Sequence, residues 1–355
     1  MKIIHTSDIH VDSPLTAHLP ADKVRERRAE LFAVLSSTVD EAKRLGVRII
    51  IIAGDLFDSD KITKTARRRT LALISASKEI SFFYLPGNHE EGALLSGEED
   101  LPQNLFVFGE EWTYFSSGDT VIAGRRSTSP DMFDLLSLPT DTTNVVVLHG
   151  ELRDRSDFDG VIGRRDAAGR GIDYLALGHY HTYSSERIDG RCTAVYPGTP
   201  EGRGFDETGK KGFVLIEKSS GTLTHRFVPR AKRILHEIRA DISELSDLYA
   251  IEKRAETALA DVRREDLVRL TLVGARKVGF NPDTAALAAR FSDRYYFFEV
   301  KDETRLLIKA SDYEHDLSLK GEFIRMVMRD DTMSDKKKED VISCGLAALF
   351  GEVEL

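Results

Sequence analysis

The sequence predicts an α/β fold, sheets covered by helices, followed by a smaller α+β unit and a helical tail. Three observations carry this. Ile49-Ile50-Ile51-Ile52, followed by Ala53-Gly54-Asp55, is the pattern of a strand buried on both faces. A charged amphipathic stretch from Ala21 to Leu45 separates it from an earlier apolar run, Lys2 to Ser7. That is a β-α-β order, which implies a parallel pair with a right-handed crossover. Finally, the basic, proline-containing segment Pro229-Arg230-Ala231-Lys232-Arg233 marks a shift in composition, after which strands and helices alternate anew.

The bounds are those of a soluble protein. A chain of 355 residues is long enough for two domains and a tail. Hydrophobic residues at 41% and charged residues at 31% fit a globular interior, and no apolar run is long enough to span a bilayer. The opening Met1-Lys2-Ile3-Ile4-His5 lacks a signal-peptide layout. Cys192 and Cys344 lie too far apart in sequence to read as a metal or redox pair, and they point to a reducing cytoplasm. A net charge of −9 argues against broad, charge-driven nucleic-acid binding but leaves room for a local basic track.

Taken in order, the first strand runs into Asp8-Ile9-His10, whose carboxylate and imidazole share a face if the backbone stays extended. His5 has the opposite parity and reads as packed. Asp12 falls in the following loop, as a turn residue or a supporting group for metal ligands. The helix 21–45 carries Val24, Leu31, Leu35, Val39 and Ala42 on one stripe, and Gly46 ends it. Asp55 then closes the isoleucine strand. A carboxylate there is costly to desolvate unless a cation neutralises it. Asp58 follows as a supporting group or helix start.

A second helix, Thr65 to Lys78, carries Arg67-Arg68-Arg69 just after Lys64. A solvated helix face and a phosphate-contacting patch are both open readings. Strand Ile80 to Leu85 leads into Pro86-Gly87-Asn88-His89-Glu90, a turn that presents Asn88 as an oxygen ligand and His89 as a general acid. Asn144 to Gly150 and Ile172 to Leu177 repeat the design, ending in His149-Gly150 and in Gly178-His179-Tyr180-His181. A hairpin, Phe213 to Glu217 with Thr222 to Val228, closes the first domain.

Beyond the linker the order is strand (234–239), helix (Ile242–Arg263), strand (267–273), helix (284–291), strand (295–300), a cap-sized α+β unit. Two helical stretches, Gly321–Arg329 and Lys336–Phe350, form the tail. Its apolar residues either dock on their own core or offer a groove to a partner helix. The expected domains are 1–229, 230–312 and 313–355.

Five of the ten histidines fall at strand ends, alongside two aspartates and an asparagine. For any one of them a satisfied structural role is the simpler reading; the set reads as a metal centre. Asp8, His10, Asp55, Asn88, His149, His179 and His181 suffice for two divalent cations if Asp55 bridges. Mixed oxygen and imidazole donors suit manganese, iron or zinc better than magnesium. Two such ions clamp an in-line phosphoryl displacement and supply hydroxide at neutral pH.

The series D-x-H, G-D, G-N-H-E, H-G and G-H-x-H resembles the calcineurin-like metallophosphoesterase superfamily over roughly the first 200 residues. More narrowly, His5-Thr6-Ser7-Asp8-Ile9-His10, Gly54-Asp55-Leu56-Phe57-Asp58 and Tyr196-Pro197-Gly198-Thr199-Pro200-Glu201 resemble the SbcD/Mre11 family of DNA repair nucleases. The resemblance implies a metallophosphoesterase β-sandwich flanked by helices, with an α+β capping domain and a helical C-terminal tail. It implies one manganese on Asp8, His10, Asp55 and His181, another on Asp55, Asn88, His149 and His179, and His89 protonating the leaving oxygen. It further implies a homodimeric 3′-to-5′ double-strand exonuclease and single-strand endonuclease. Lys64, Arg67, Arg68 and Arg203 are then candidate DNA contacts, and the tail would bind an SbcC- or Rad50-like coiled-coil ATPase. The alternative on the same scaffold is a phosphoesterase for small molecules or phosphoproteins.

Overall fold

The computed structural model describes all residues except 14, 16–18, 59–61, 88–93, 95–100, 220, 278–279, 308–312 and 351–355. The chain divides into two compact units, Met1–Leu235 and His236–Leu355.

The first unit opens with β1 (Lys2–Thr6), α1 (Ala21–Leu45), β2 (Ile49–Ala53), α2 (Lys64–Ala76), β3 (Ser81–Leu85) and β4 (Leu105–Val107). It continues with β5 (Thr113–Ser117), β6 (Thr120–Gly124), β7 (Thr143–His149), β8 (Glu151–Arg153), β9 (Val161–Gly163) and the short α3 (Arg164–Ala167). The last strands are β10 (Tyr174–Gly178), β11 (Ser184–Arg187), β12 (Thr193–Tyr196), β13 (Gly212–Ser219) and β14 (Thr222–Pro229). Two six-stranded sheets result, in the orders β14-β13-β1-β2-β3-β4 and β11-β12-β10-β7-β6-β5. β1, β2, β3 and β4 are mutually parallel, as are β6, β7, β10 and β12.

The isoleucine strand explains the layering. Ile50 and Ile52 join the core under α1 and α2, whereas Ile49, Ile51 and Ala53 join Val145, Val147 and Ala176 of the other sheet. With period-2 alternation, a strand apolar at every position must bury both faces. A third cluster, with Val146, Leu148, Leu175 and Leu177, lines the outer face of the second sheet. The sandwich is thus flanked by helices, the expected fold class. α1 begins and ends at the expected residues. Gly46 adopts a left-handed conformation at φ 67°, and its N–H caps the carbonyls of Ala42 and Lys43.

The second unit contains β15 (Leu235–Asp241), α4 (Leu248–Ala258), β16 (Leu267–Val273), β17 (Ala275–Lys277), α5 (Thr284–Phe291), β18 (Phe297–Asp302), β19 (Arg305–Leu307), α6 (Leu319–Met328) and α7 (Asp335–Phe350). β15, β16 and β18 form its sheet, over a core that includes Ile251, Leu270, Leu287 and Phe291. The helix expected over 242–263 is shorter. The Ile242 N–H pairs with the Val273 carbonyl, and the Asp247 carboxylate caps the Ala250 N–H, so the helix starts at Leu248. In the tail, Tyr313, Ile324, Val327, Ile342 and Leu346 form a small core of their own. Leu317, Leu319 and Met326 remain exposed.

Candidate metal centre

The carboxyl ends of β1, β2, β7 and β10 converge. Beyond the strands the loops stay paired: the Asp8 N–H donates to the Gly54 carbonyl (3.1 Å), His10 to Asp55 (3.0 Å) and Val11 to Leu56 (2.9 Å). Asp8, His10 and Asp55 have φ of 51°, 48° and 48°, and His179 has 113°. Such conformations cost non-glycine residues on the order of 1–3 kcal/mol and persist where the surroundings over-determine them. The extended backbone expected to put Asp8 and His10 on one face is therefore not what unites them. β1 ends at Thr6, and left-handed turns aim both side chains. His179 and His181 do not share a face either, and part company after β10: His179 stacks edge-on to His149 (5.5 Å), His181 to His10 (5.2 Å).

Two groups of donors emerge, Asp8–His10–His181 and Asp8–Asp55–His149, each with its ligand atoms within 4.8 Å of one another. Asp55 Oδ2 lies 3.5 Å from His149 Nε2 and 3.9 Å from His10 Nε2, so one carboxylate oxygen faces an imidazole of each group. His181 Nε2 lies 3.8 Å from Asp8 Oδ1.

Each of these three imidazoles has its other nitrogen engaged. His149 Nδ1 donates to the Ala53 carbonyl (2.9 Å). His10 Nδ1 faces Asp58 Oδ1 (2.8 Å), and His181 Nδ1 faces Glu207 Oε1 (2.7 Å). A proton held on Nδ1 leaves the Nε2 lone pair directed into the centre, the usual arrangement behind a metal-bound histidine. Asp8 is oriented too, by the Ser7 hydroxyl (2.5 Å) and the His179 N–H (3.1 Å). His149 occupies a slot between glycines. A Cβ on Gly54 (φ 90°) would overlap its ring, and one on Gly178 would overlap the Ala53 carbonyl that fixes it.

Arg203 joins the two supporting carboxylates. Its Nη1 donates to Asp58 Oδ1 (2.8 Å) and its Nη2 to Glu207 Oε1 (2.7 Å). Lys211 Nζ donates to the His181 carbonyl (2.7 Å). Glu207 and Lys211 carry no local motif, and sequence reasoning missed both; their spacing to His181 gives no periodic signal.

Electrostatics follow from this packing. Burial opposes the charged form of His181, but the Glu207 hydrogen bond and the Asp8 carboxylate outweigh it and raise the pKa. Glu207, though buried, is lowered to about 2 by hydrogen bonds from His181 and Arg203. Burial and the nearby His149 lower His179, against the pull of Asp8 and Asp55. His5 stands apart from the centre: burial lowers it to about 3, and its Nδ1 lies 3.0 Å from the Tyr174 hydroxyl.

Asn88 and His89 lie outside the described residues. Asp58 supports His10, and Asp12 accepts the Asp58 N–H (3.0 Å). Among the candidate DNA contacts, Lys64 and Arg68 are exposed. Arg67 is buried and donates to the Leu94 carbonyl (2.9 Å), and the Arg203 side chain is 11% exposed and engaged as described. Arg67 is thus turned into the protein through its Nε, and the Arg203 guanidinium spans Asp58 and Glu207.

The described residues fit divalent cations. Asp8, Asp55, His10, His149 and His181 are a mixed oxygen and imidazole set. Asp55 Oδ1 is buried and, among the described residues, accepts no hydrogen bond, a cost that a cation would relieve.

Comparison with known proteins agrees with this geometry. The family model described as Calcineurin-like phosphoesterase matches residues 1–183. A Bacillus subtilis protein named Uncharacterized metallophosphoesterase YhaO is 29% identical over 298 residues, 77% of this chain and 72% of that protein. The DNA double-strand break repair protein Mre11 of Aeropyrum pernix is 25% identical over 300 residues, 76% of this chain and 71% of that one. Its namesake from Methanopyrus kandleri is 23% identical over 374 residues, covering 90% and 75%. No helix among the described residues is long and apolar enough to cross a membrane.

Proposed function

The chain belongs to the calcineurin-like phosphoesterase family, a family of metal-dependent phosphoesterases, and on that premise we propose that it is a manganese-dependent DNA nuclease subunit of the SbcD/Mre11 kind. The observation that carries the finer reading is the extent of the match. The family model ends at residue 183, whereas the similarity to proteins named Mre11 reaches 90% of the chain and so extends into the second unit. A phosphoesterase for small esters needs neither that unit nor the tail.

In this reading Asp8, His10, Asp55 and His181 hold one ion, and Asp55, Asn88, His149 and His179 hold the other. Two bound cations supply Lewis-acid polarisation of the phosphodiester and a nucleophile at neutral pH. The chain's own residues do the rest. Glu207 and the Ala53 carbonyl hold the Nδ1 protons of His181 and His149, and the Asp58 carboxylate lies 2.8 Å from His10 Nδ1, so that three imidazoles present Nε2. His89 delivers a proton to the leaving oxygen. The exposed Leu317, Leu319 and Met326 of the tail offer apolar side chains to a helix of a coiled-coil ATPase.

The test is turnover with manganese on end-labelled duplex DNA beside nucleotides and bis(p-nitrophenyl) phosphate. Release of nucleotides from the duplex supports the reading. Turnover of small esters alone overturns it in favour of the small-molecule phosphoesterase.

A further inference from the structure

Beside the centre, a cavity of about 590 Å³ runs from His149 and His179 to residues from the chain before β5 and after β6. These are Glu110, Arg126, Ser127 and Thr128, and Asp159 closes one side. Arg126 is the one arginine or lysine among the described residues lining the cavity. Its backbone and its side chain both have partners. Its N–H donates to the Gly109 carbonyl (2.9 Å), and its Nη1 meets Glu110 Oε1 at 2.6 Å, with the Arg126 side chain 26% exposed and that of Glu110 63% exposed. The next residues are fixed as well, since Thr128 Oγ1 accepts the Gly160 N–H (2.8 Å).

Electrostatics single this guanidinium out. The cavity walls otherwise contribute the carboxylates of Glu110 and Asp159, which repel a phosphate chain. Bound cations would neutralise the scissile phosphate only. A polymer brings neighbouring phosphates with it, and each needs its own counter-charge. A planar fork pre-aimed by a carboxylate suits phosphate geometry and loses little entropy on binding.

We propose that Arg126 is the substrate-anchoring residue of this cavity, its guanidinium holding a phosphate adjacent to the one being hydrolysed, with Glu110 setting its orientation. The assignment rests on the phosphoesterase reading and names its substrate class as a polynucleotide rather than a lone diester.

The experiment compares the manganese-loaded full chain with Arg126→Ala, Arg126→Lys and Glu110→Gln. Substrates are a short oligonucleotide and bis(p-nitrophenyl) phosphate, which has no neighbouring phosphate. Loss of one charge-assisted contact predicts a KM for the oligonucleotide raised about tenfold in Arg126→Ala, with kcat held, and a much smaller rise for the small diester. The salt dependence of oligonucleotide binding should lose about one unit of slope, and Arg126→Lys should restore part of it. Equal losses on both substrates, a loss confined to kcat, or no change would overturn the assignment. If the wild type hydrolyses only the small diester, the nuclease reading fails separately. The readout is then inhibition of that turnover by a phosphorothioate oligonucleotide. A Ki raised about tenfold in Arg126→Ala keeps the anchor; an unchanged Ki, or no inhibition of the wild type, removes it.

Discussion

Arg203 Nη1 donates to Asp58 Oδ1 at 2.8 Å, across 145 residues of chain, and Asp58 in turn faces His10 Nδ1 at 2.8 Å. Because Arg203 also reaches Glu207, one guanidinium braces the supports of two imidazoles that belong to the same donor group. Removing it should loosen His10 and His181 together. Arg203→Ala is expected to weaken metal binding about 10- to 100-fold, the usual scale for groups behind metal ligands. Titration calorimetry with manganese checks this; an unchanged affinity would reduce Arg203 to a fold-stabilising role.

Gly54 gives a steric prediction. At φ 90°, with a Cβ that would overlap the His149 ring, alanine is strained in backbone and displaces the imidazole at once. Gly54→Ala should lower the melting temperature and cost the His149 side of the centre, read as metal content below that of the wild type by elemental analysis. Full content with unaltered melting would show that the slot is not needed.

His89 has a kinetic prediction. His89→Ala should bind metal as the wild type does and lose at least about 100-fold in rate, the scale of a positioned general acid. Near-normal turnover would remove it from the mechanism.

Stability should fall in acid through Glu30. This buried carboxylate meets Arg27 at 2.5 Å, Arg233 at 2.8 Å and Lys232 at 2.6 Å. Burial alone would raise its pKa, but these hydrogen bonds and the Arg27 charge lower it from the ordinary 4.5 to about 2. A folded-state pKa below the unfolded one means that its contribution is complete above pH 4.5 and is lost as pH falls toward 2. The shift corresponds to about 3 kcal/mol. Glu30→Gln should therefore flatten the urea stability profile across that window and cost stability at neutral pH. A variant with the wild-type slope would contradict the assignment.

What the sequence disclosed and what it hid divide along physical lines. The isoleucine run, the stripe of α1 and its Gly46 cap are local signals, and all three were readable as strand, helix and stop. The convergence of Asp8, Asp55 and His149 was readable from repeated strand ends. The manner of convergence was not, because positive φ at Asp8, His10 and Asp55 is set by loop pairing between distant segments. Glu207 and Lys211 stayed hidden for the same reason: they reach His181 through tertiary contacts with no periodicity. Arg67 and Arg203 read as candidate DNA contacts, and the burial of their side chains was not legible because their acceptors lie elsewhere in the fold. The long helix expected before Leu267 failed at Asp247, an N-cap signal that the apolar pattern overshadowed.

In the proposed centre one aspartate, Asp55, serves both ions. The most direct measurement is anomalous scattering from crystals of the full chain grown with manganese, paired with the same measurement on Asp55→Ala. Two peaks flanking the Asp55 carboxylate, both lost in the variant, are the expected result. A lone peak, or a pair that survives without Asp55, would contradict it.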